Sequence, residues 1–199
     1  MKRPIVIGLT GSIGMGKSTT ARMFAEAGLA VWDADAAVHR LYAPGGLAVE
    51  AIRTVRPEAV TDGAVDREAL KAWIKSDPGA LAQIEAIVHQ LVAKDRAEFI
   101  ARTKADIVVL DIPLLFEIGT VDEVDTVVVV TAPAEVQRKR VLERDRMDEA
   151  TFETILAKQM PDAEKRARAD FVIETVAMES AREQVQKVIE AVRKGMSDA

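Results

Sequence analysis

The sequence predicts an α/β fold, a doubly wound parallel sheet of five strands carrying a helical insertion and a second helical stretch nearer the C-terminus. Three observations predict it. Short apolar runs rich in β-branched residues recur at 5–9, 29–32, 107–110, 126–130 and 171–173, continuous rather than alternating, as strands covered on both faces require. Helix-forming segments separate them, and the first strand, helix and strand occupy about 30 residues, the length of one βαβ unit. Charged residues make up 30% of the 199-residue chain and aromatics only 4%, which suits helices on a parallel sheet better than a β-sandwich.

The first strand runs into Thr10-Gly11, and the helix after it starts inside a glycine-rich turn. That helix passes through Thr19, Ala21, Met23, Phe24 and Ala25 before Gly28 supplies a left-handed stop. The second strand ends at Asp33-Ala34-Asp35. From Asp35 to Asp106 the chain reads as mostly helical, with breaks at Pro44-Gly45-Gly46 and Asp62-Gly63. Asp66 and Asp77-Pro78 have the form of helix starts, the second an N-cap followed by proline at the first helical position. Beyond Pro78, Leu81, Ile84, Ile87, Val88, Leu91 and Val92 fall on one stripe at helical spacing. This block, residues 36–106, is longer than a crossover requires and is read as an acceptor-binding insertion.

The third strand ends at Asp111, and Pro133-Ala134-Glu135 opens the helix after the fourth. Residues 180–193 form an amphipathic closing helix with Val185, Val188, Ile189 and Val192 inward, and 194–199 read as a frayed tail. Trp32 and Trp73 are expected in the core. The whole of 1–199 is read as one domain.

A net charge of -5 argues against nucleic acid as a partner, because a duplex binder needs a basic face. The chain has no cysteine, so thiolate metal sites and cysteine nucleophiles are excluded and nothing points to an oxidising compartment. No apolar run approaches the ~20 residues of a membrane helix. A soluble cytoplasmic protein is expected, free of the membrane.

Gly11-Ser12-Ile13-Gly14-Met15-Gly16-Lys17-Ser18 matches G-x-x-x-x-G-K-[ST] and lies between a predicted strand and a predicted helix, the context that gives the pattern its meaning. Glycines let successive amides turn inward around phosphate oxygens at the positive end of the helix. Residues 11–19, through Thr19, are therefore expected to hold the phosphates of ATP, with Lys17 on the β and γ groups and the Ser18 hydroxyl on Mg2+. The fold is then of the P-loop nucleoside triphosphate hydrolase and kinase type.

Asp33 and Asp35 follow the second strand, at the edge of an open sheet where ligands sit. Asp33 is read as the carboxylate that takes the proton of an acceptor hydroxyl and Asp35 as a helix cap; the alternative is a solvated pair of loop aspartates. Asp111, after four apolar residues, is read as the second magnesium ligand. Thr103-Lys104-Ala105-Asp106 imitates a guanine-reading motif, but such a motif should follow a late strand, whereas this one ends a helix and precedes the third strand, and Asp111-Ile112-Pro113-Leu114 lacks the glycine of a switch segment. Residues 137–168 hold a basic helical segment read as a lid. Most of its charges suit a solvated face, while Arg140, with Arg144 one turn on, could reach the transferred phosphoryl group.

Together the phosphate loop, Asp33-Ala34-Asp35, His89, Asp111-Ile112-Pro113-Leu114-Leu115-Phe116-Glu117, Gln137 with Arg140, Arg144-Asp145, Gln159 and Ala169-Asp170-Phe171-Val172-Ile173 resemble the dephospho-coenzyme A kinase family over nearly the whole chain. The resemblance implies transfer of the ATP γ-phosphoryl group to the ribose 3′-hydroxyl of dephospho-coenzyme A; a monomer is expected, with weak oligomerisation as the alternative. By it, Asp33 is the base, Arg140 the lid arginine and Lys17 a catalytic cation. His89, Leu114, Leu115 and Phe116 become acceptor contacts by the same resemblance. The chain departs from the family at Gln90, where proline is usual, and at Glu174-Thr175, where an asparagine stands near the adenine. Another P-loop nucleotide or small-metabolite kinase, and a nucleotide-dependent switch, are the competing readings.

Overall fold

A computed structural model describes residues 3–144 and 147–197. Along the chain come β1 (Ile5–Thr10), α1 (Lys17–Glu26), β2 (Ala30–Asp33), α2 (Ala34–Tyr42), α3 (Leu47–Val55), β3 (Val60–Thr61), β4 (Ala64–Val65), α4 (Arg67–Ser76) and α5 (Ala80–Arg102). There follow β5 (Ile107–Asp111), β6 (Thr126–Thr131), α6 (Ala134–Arg144), α7 (Glu149–Ala157), α8 (Asp162–Ala167), β7 (Phe171–Glu174) and α9 (Met178–Ser197). The chain divides into two compact units, Met1–Trp32 with Lys104–Ala199, and Asp33–Thr103.

The first unit is built on the expected five-stranded parallel sheet, in the order β2-β5-β1-β6-β7. β1 lies at its centre, pairing with β5 in the register Leu9↔Asp111 and with β6 in the register Leu9↔Val128. The loop after β1 therefore leaves the middle of the sheet, flanked by the end of β5. Ile7, Leu9, Val109, Val128 and Ile173 pack with Phe24 of α1 and with Val185, Val188 and Ile189 of α9 into one core. Trp32 is buried, as expected.

α1 stops where expected. Gly28, at φ 89°, donates to the Ala25 carbonyl and Leu29 to that of Phe24, so the left-handed residue closes both ends of a Schellman motif. Of the tail expected to fray at 194–199, residues 194–197 are helical, because Met196 packs against the core one turn beyond Val192 and α9 continues to Ser197; 198 and 199 lie outside the described residues.

The second unit has a core of its own, Val49, Ile52, Ala59, Val65, Leu70, Trp73, Ile84 and Val88. Its helical character is as expected, with three differences. The Asp62-Gly63 break is a β-hairpin, Val60 pairing with Val65 and Thr61 with Ala64. Asp62 and Gly63 both have positive φ, 50° and 76°, the requirement of a two-residue turn matched to strand twist. Asp66 caps α4 as expected, accepting from Glu68 and Ala69. Asp77 instead ends α4, taking the Trp73 indole N–H at 3.2 Å and the Gly79 amide at 2.8 Å, so α5 starts at Ala80, two residues beyond Pro78. On α5 the stripe is narrower than expected, since Ile84 and Val88 are buried while Leu81 is 46% exposed. The helix passes uninterrupted through His89-Gln90, as the missing proline permits. Among the described residues no helix is long and apolar enough to cross a membrane.

Candidate active site

The loop Gly11–Ser18 divides its backbone groups between two tasks. Ile13 is clamped on both sides: its amide donates to Gln159 Oε1 at 3.1 Å, and its carbonyl accepts from Gln137 Nε2 at 2.7 Å. The Met15 amide donates to the Ser12 carbonyl, and its carbonyl accepts from the Thr175 hydroxyl at 2.8 Å. The Met15 sulfur turns inward and accepts from the Ala132 amide. Ile13 and Met15, expected among the phosphate contacts, are thus scaffold. Their hydrogen-bonding groups are spent on holding the turn.

The amides of Gly14, Gly16, Lys17 and Ser18 have no partner among the described residues. Lys17 and Ser18 open α1, where the first turn has no carbonyl to bond, so these donors present partial positive charge to the space in front of the loop. Close packing fixes the turn from behind. A Cβ on Gly14 would stand 2.5 Å from Val141 Cγ2, and one on Gly16 2.9 Å from Thr175 Oγ1, and both residues have positive φ. Ser12 is 3% exposed, and its hydroxyl has no partner among the described residues.

Lys17 Nζ forms an ion pair with Asp111 Oδ1. The β1–β5 register puts these groups side by side, and Asp111 is 2% exposed. Lys17, the exposed Ser18 hydroxyl and Asp111 all belong to the ends of α1 and β5, as expected from sequence.

Arg140 projects from α6 onto Thr175, giving Nη1–H to the hydroxyl at 2.9 Å and Nη2–H to the carbonyl at 2.6 Å. Thr175 is 7% exposed and bonds Met15 in turn, so a guanidinium and the phosphate loop share one hydroxyl. The side chain of Arg144 lies outside the described residues, as does all of Asp145.

After Asp111, Leu114 is exposed and Phe116 half-buried. Leu115 departs from expectation. It is fully buried, its Cδ2 3.0 Å from where a Cβ on Gly8 would lie, so it anchors the segment from beneath instead of offering a surface to a ligand. Glu117 returns to the interior, where Oε1 meets Lys165 Nζ at 2.8 Å and accepts the Met160 amide at 2.9 Å. Burial by itself would raise the Glu117 carboxyl, but the Lys165 ammonium and the Met160 amide outweigh it and hold the group below its ordinary value.

In the second unit, the helix-cap role expected of Asp35 falls to Asp33. Asp33 is the N-cap of α2, Oδ1 accepting from Ala36 at 2.9 Å, while Asp35 lies in the first turn. The cap uses one oxygen of Asp33. His89 is exposed on α5.

Gln137, Gln159 and Thr175 carry no role in the sequence by themselves, since each meets the loop from more than a hundred residues away. Comparison with known proteins agrees with the geometry. The chain is 59% identical to the dephospho-CoA kinase of Cereibacter sphaeroides over 191 residues, covering 96% of this chain and 97% of that one. A solved structure from Thermus thermophilus superposes with a TM-score of 0.85 at 37% identity, covering 96% of this chain and 98% of that one. The dephospho-CoA kinase of Campylobacter jejuni does so with a TM-score of 0.69 at 26% identity and the same coverage. The family model for dephospho-CoA kinase matches residues 5–180, and with the loop, its lysine and the strand-end carboxylate in place, the chain belongs to the dephospho-CoA kinase family.

Proposed function

We propose that this protein transfers the γ-phosphoryl group of ATP to the ribose 3′-hydroxyl of dephospho-coenzyme A, giving coenzyme A, and does so as a cytoplasmic monomer. The observation that carries the phosphate half is the set of amides at Gly14, Gly16, Lys17 and Ser18 that have no partner among the described residues, on the loop that also carries the Lys17 ammonium. Such a cradle binds the β and γ phosphates and is already aimed where negative charge gathers in the transition state.

Asp33 serves as base. Oδ1 is held by the Ala36 amide, which fixes the carboxylate's direction, and Oδ2 takes the proton of the 3′-hydroxyl as its oxygen bonds to the γ-phosphorus and the bond to the β-phosphate oxygen breaks. Lys17 leaves Asp111 for the phosphates. Arg140 moves from Thr175 to the transferred group, residues 137–168 acting as its lid, with Arg144 in support. Residues 36–106 receive the acceptor, with His89, Leu114 and Phe116 as contacts.

Mg2+ fits the residues present. Ser18 and Asp111 offer the hard oxygens it prefers, and among the described residues no cluster of three or more His, Cys, Asp or Glu exists to cage a cation without its ligand phosphates. Bound there, the ion would neutralise charge shared between the β and γ oxygens.

The test is turnover of the purified chain with ATP and Mg2+ against dephospho-coenzyme A, adenylate and shikimate, with the phosphorylated position identified. Product carrying a 3′-phosphate from dephospho-coenzyme A alone is expected. Equal or better turnover of another acceptor would overturn the assignment.

A further inference from the structure

A buried ion pair in the first unit has no part in the chemistry above. The Lys165 side chain is completely shielded and that of Glu117 is 17% exposed, yet they meet at 2.8 Å. Replacing such a pair by apolar residues is often neutral or stabilising, so its contribution to folding is a poor reason for it. Its position gives a better one. Glu117 follows Leu114–Phe116 on the segment beyond Asp111, and the oxygen that meets Lys165 also accepts the Met160 amide at 2.9 Å. The preceding residue, Gln159, accepts the Ile13 amide of the phosphate loop at 3.1 Å. The same stretch is fixed at its far end by Asp162, which accepts from Thr131 at the tip of β6 at 2.9 Å.

We infer that Glu117 is a positioning residue for the nucleotide: through Met160 it sets Gln159, and through Gln159 it sets the turn at Ile13 on which the open amides of the loop depend. Lys165 keeps Glu117 ionised and aimed at Met160. The phosphate loop is thereby tied to the segment that carries Asp111 and Leu114, and the shape of the donor site depends on a carboxylate that touches no phosphate. The inference takes ATP as the ligand, as proposed above, and is independent of the acceptor.

The test is the ATP dissociation constant, by titration calorimetry with Mg2+ present, beside the thermal midpoint of each variant of the full chain. Glu117→Leu/Lys165→Met removes both charges and the acceptor for Met160. Glu117→Gln/Lys165→Met removes both charges but keeps a carbonyl for that amide. The first should weaken ATP binding about tenfold, the cost of one misplaced set of phosphate donors, and the second by no more than about threefold. Gln159→Leu leaves the pair intact and cuts the link to Ile13, so it should weaken ATP binding about as much as the leucine variant, and adding it to that variant should cost little more. Unchanged ATP affinity in Gln159→Leu overturns the inference, even where a Glu117 variant fails to fold. So does equal loss in both double variants, or a loss that follows the thermal midpoint alone. An active-acceptor search that fails would count against the proposed reaction and leave these affinities as the measure of the positioning role.

Discussion

Replacing Asp33 separates the base from the cap. The side chain has two uses, since Oδ1 closes the first turn of α2 through Ala36 at 2.9 Å and the carboxylate is the proposed proton acceptor. Asparagine and serine are both good N-caps, so Asp33→Asn and Asp33→Ser should keep the helix end within a few tenths of a kcal/mol. Asp33→Ala loses the cap, about 1 kcal/mol, which for a chain of this size lowers the thermal midpoint by roughly 2–4 °C. General-base assistance contributes roughly 10²–10⁴ in rate. All three variants should therefore lose about that factor in kcat, with ATP affinity nearly unchanged, while only the alanine variant melts early. Steady-state kinetics with calorimetry on the same preparations makes the comparison. If the asparagine and serine variants turn over within about threefold of the parent and only alanine is impaired, Asp33 is a cap and nothing more.

Three further outcomes follow from the site. Thr175→Val keeps the shape but strips the hydroxyl from Arg140 and from the Met15 carbonyl, and two unmet groups at a 7% exposed position should cost about 2 kcal/mol, or roughly 4–8 °C in midpoint, with Thr175→Ser recovering most of it in differential scanning calorimetry. Lys17→Met leaves a 2% exposed Asp111 without its ammonium and should destabilise the fold by up to about 3 kcal/mol; adding Asp111→Asn should restore the midpoint while turnover stays lost. Because the folded-state Glu117 carboxyl lies below 4.5, its ionised form stabilises the protein above that pH, and the contribution disappears as pH falls through the lowered value. Urea unfolding from pH 7 to 3 should accordingly fall more steeply below 4.5 for the parent than for Glu117→Gln/Lys165→Met.

The sheet and the phosphate loop were legible because each is written locally. Four or five consecutive apolar residues leave little but a doubly covered strand, and a glycine turn followed by Lys17-Ser18 needs only its own backbone to be understood. The errors arose where a boundary depends on a distant contact. Asp33 and Asp35 differ only in which residue ends β2, and the pairing of that strand decides it. Asp77-Pro78 has the signature of a helix start, but the indole of Trp73 claims Asp77 for the preceding helix. Asp62-Gly63 did carry a hairpin signal, though strands of two residues are too short for any period to show. The end of α9 was hidden by Lys194-Gly195, which resembles a helix stop until Met196 is seen to reach the core. Leu115 resembles its neighbours in sequence and differs only in having Gly8 beneath it.

What could not be read at all is how the phosphate loop is held, and that bears directly on how it works. A glycine-rich turn is flexible by composition, and a flexible cradle would lose entropy on every encounter with a nucleotide. Here the turn is fixed by Gln137, Gln159 and Thr175, which come from α6, the connection before α8 and the end of β7, and which between them occupy the hydrogen-bonding groups of Ile13 and the carbonyl of Met15. The groups left over are the amides that phosphate requires. Because the two sets alternate along the turn, fixing one set orients the other, and the donors need no reorganisation when charge develops on the transferred group. Substitutions at the three distant residues should consequently appear as weaker ATP binding with kcat at saturating nucleotide largely preserved, the opposite of the pattern expected at Asp33.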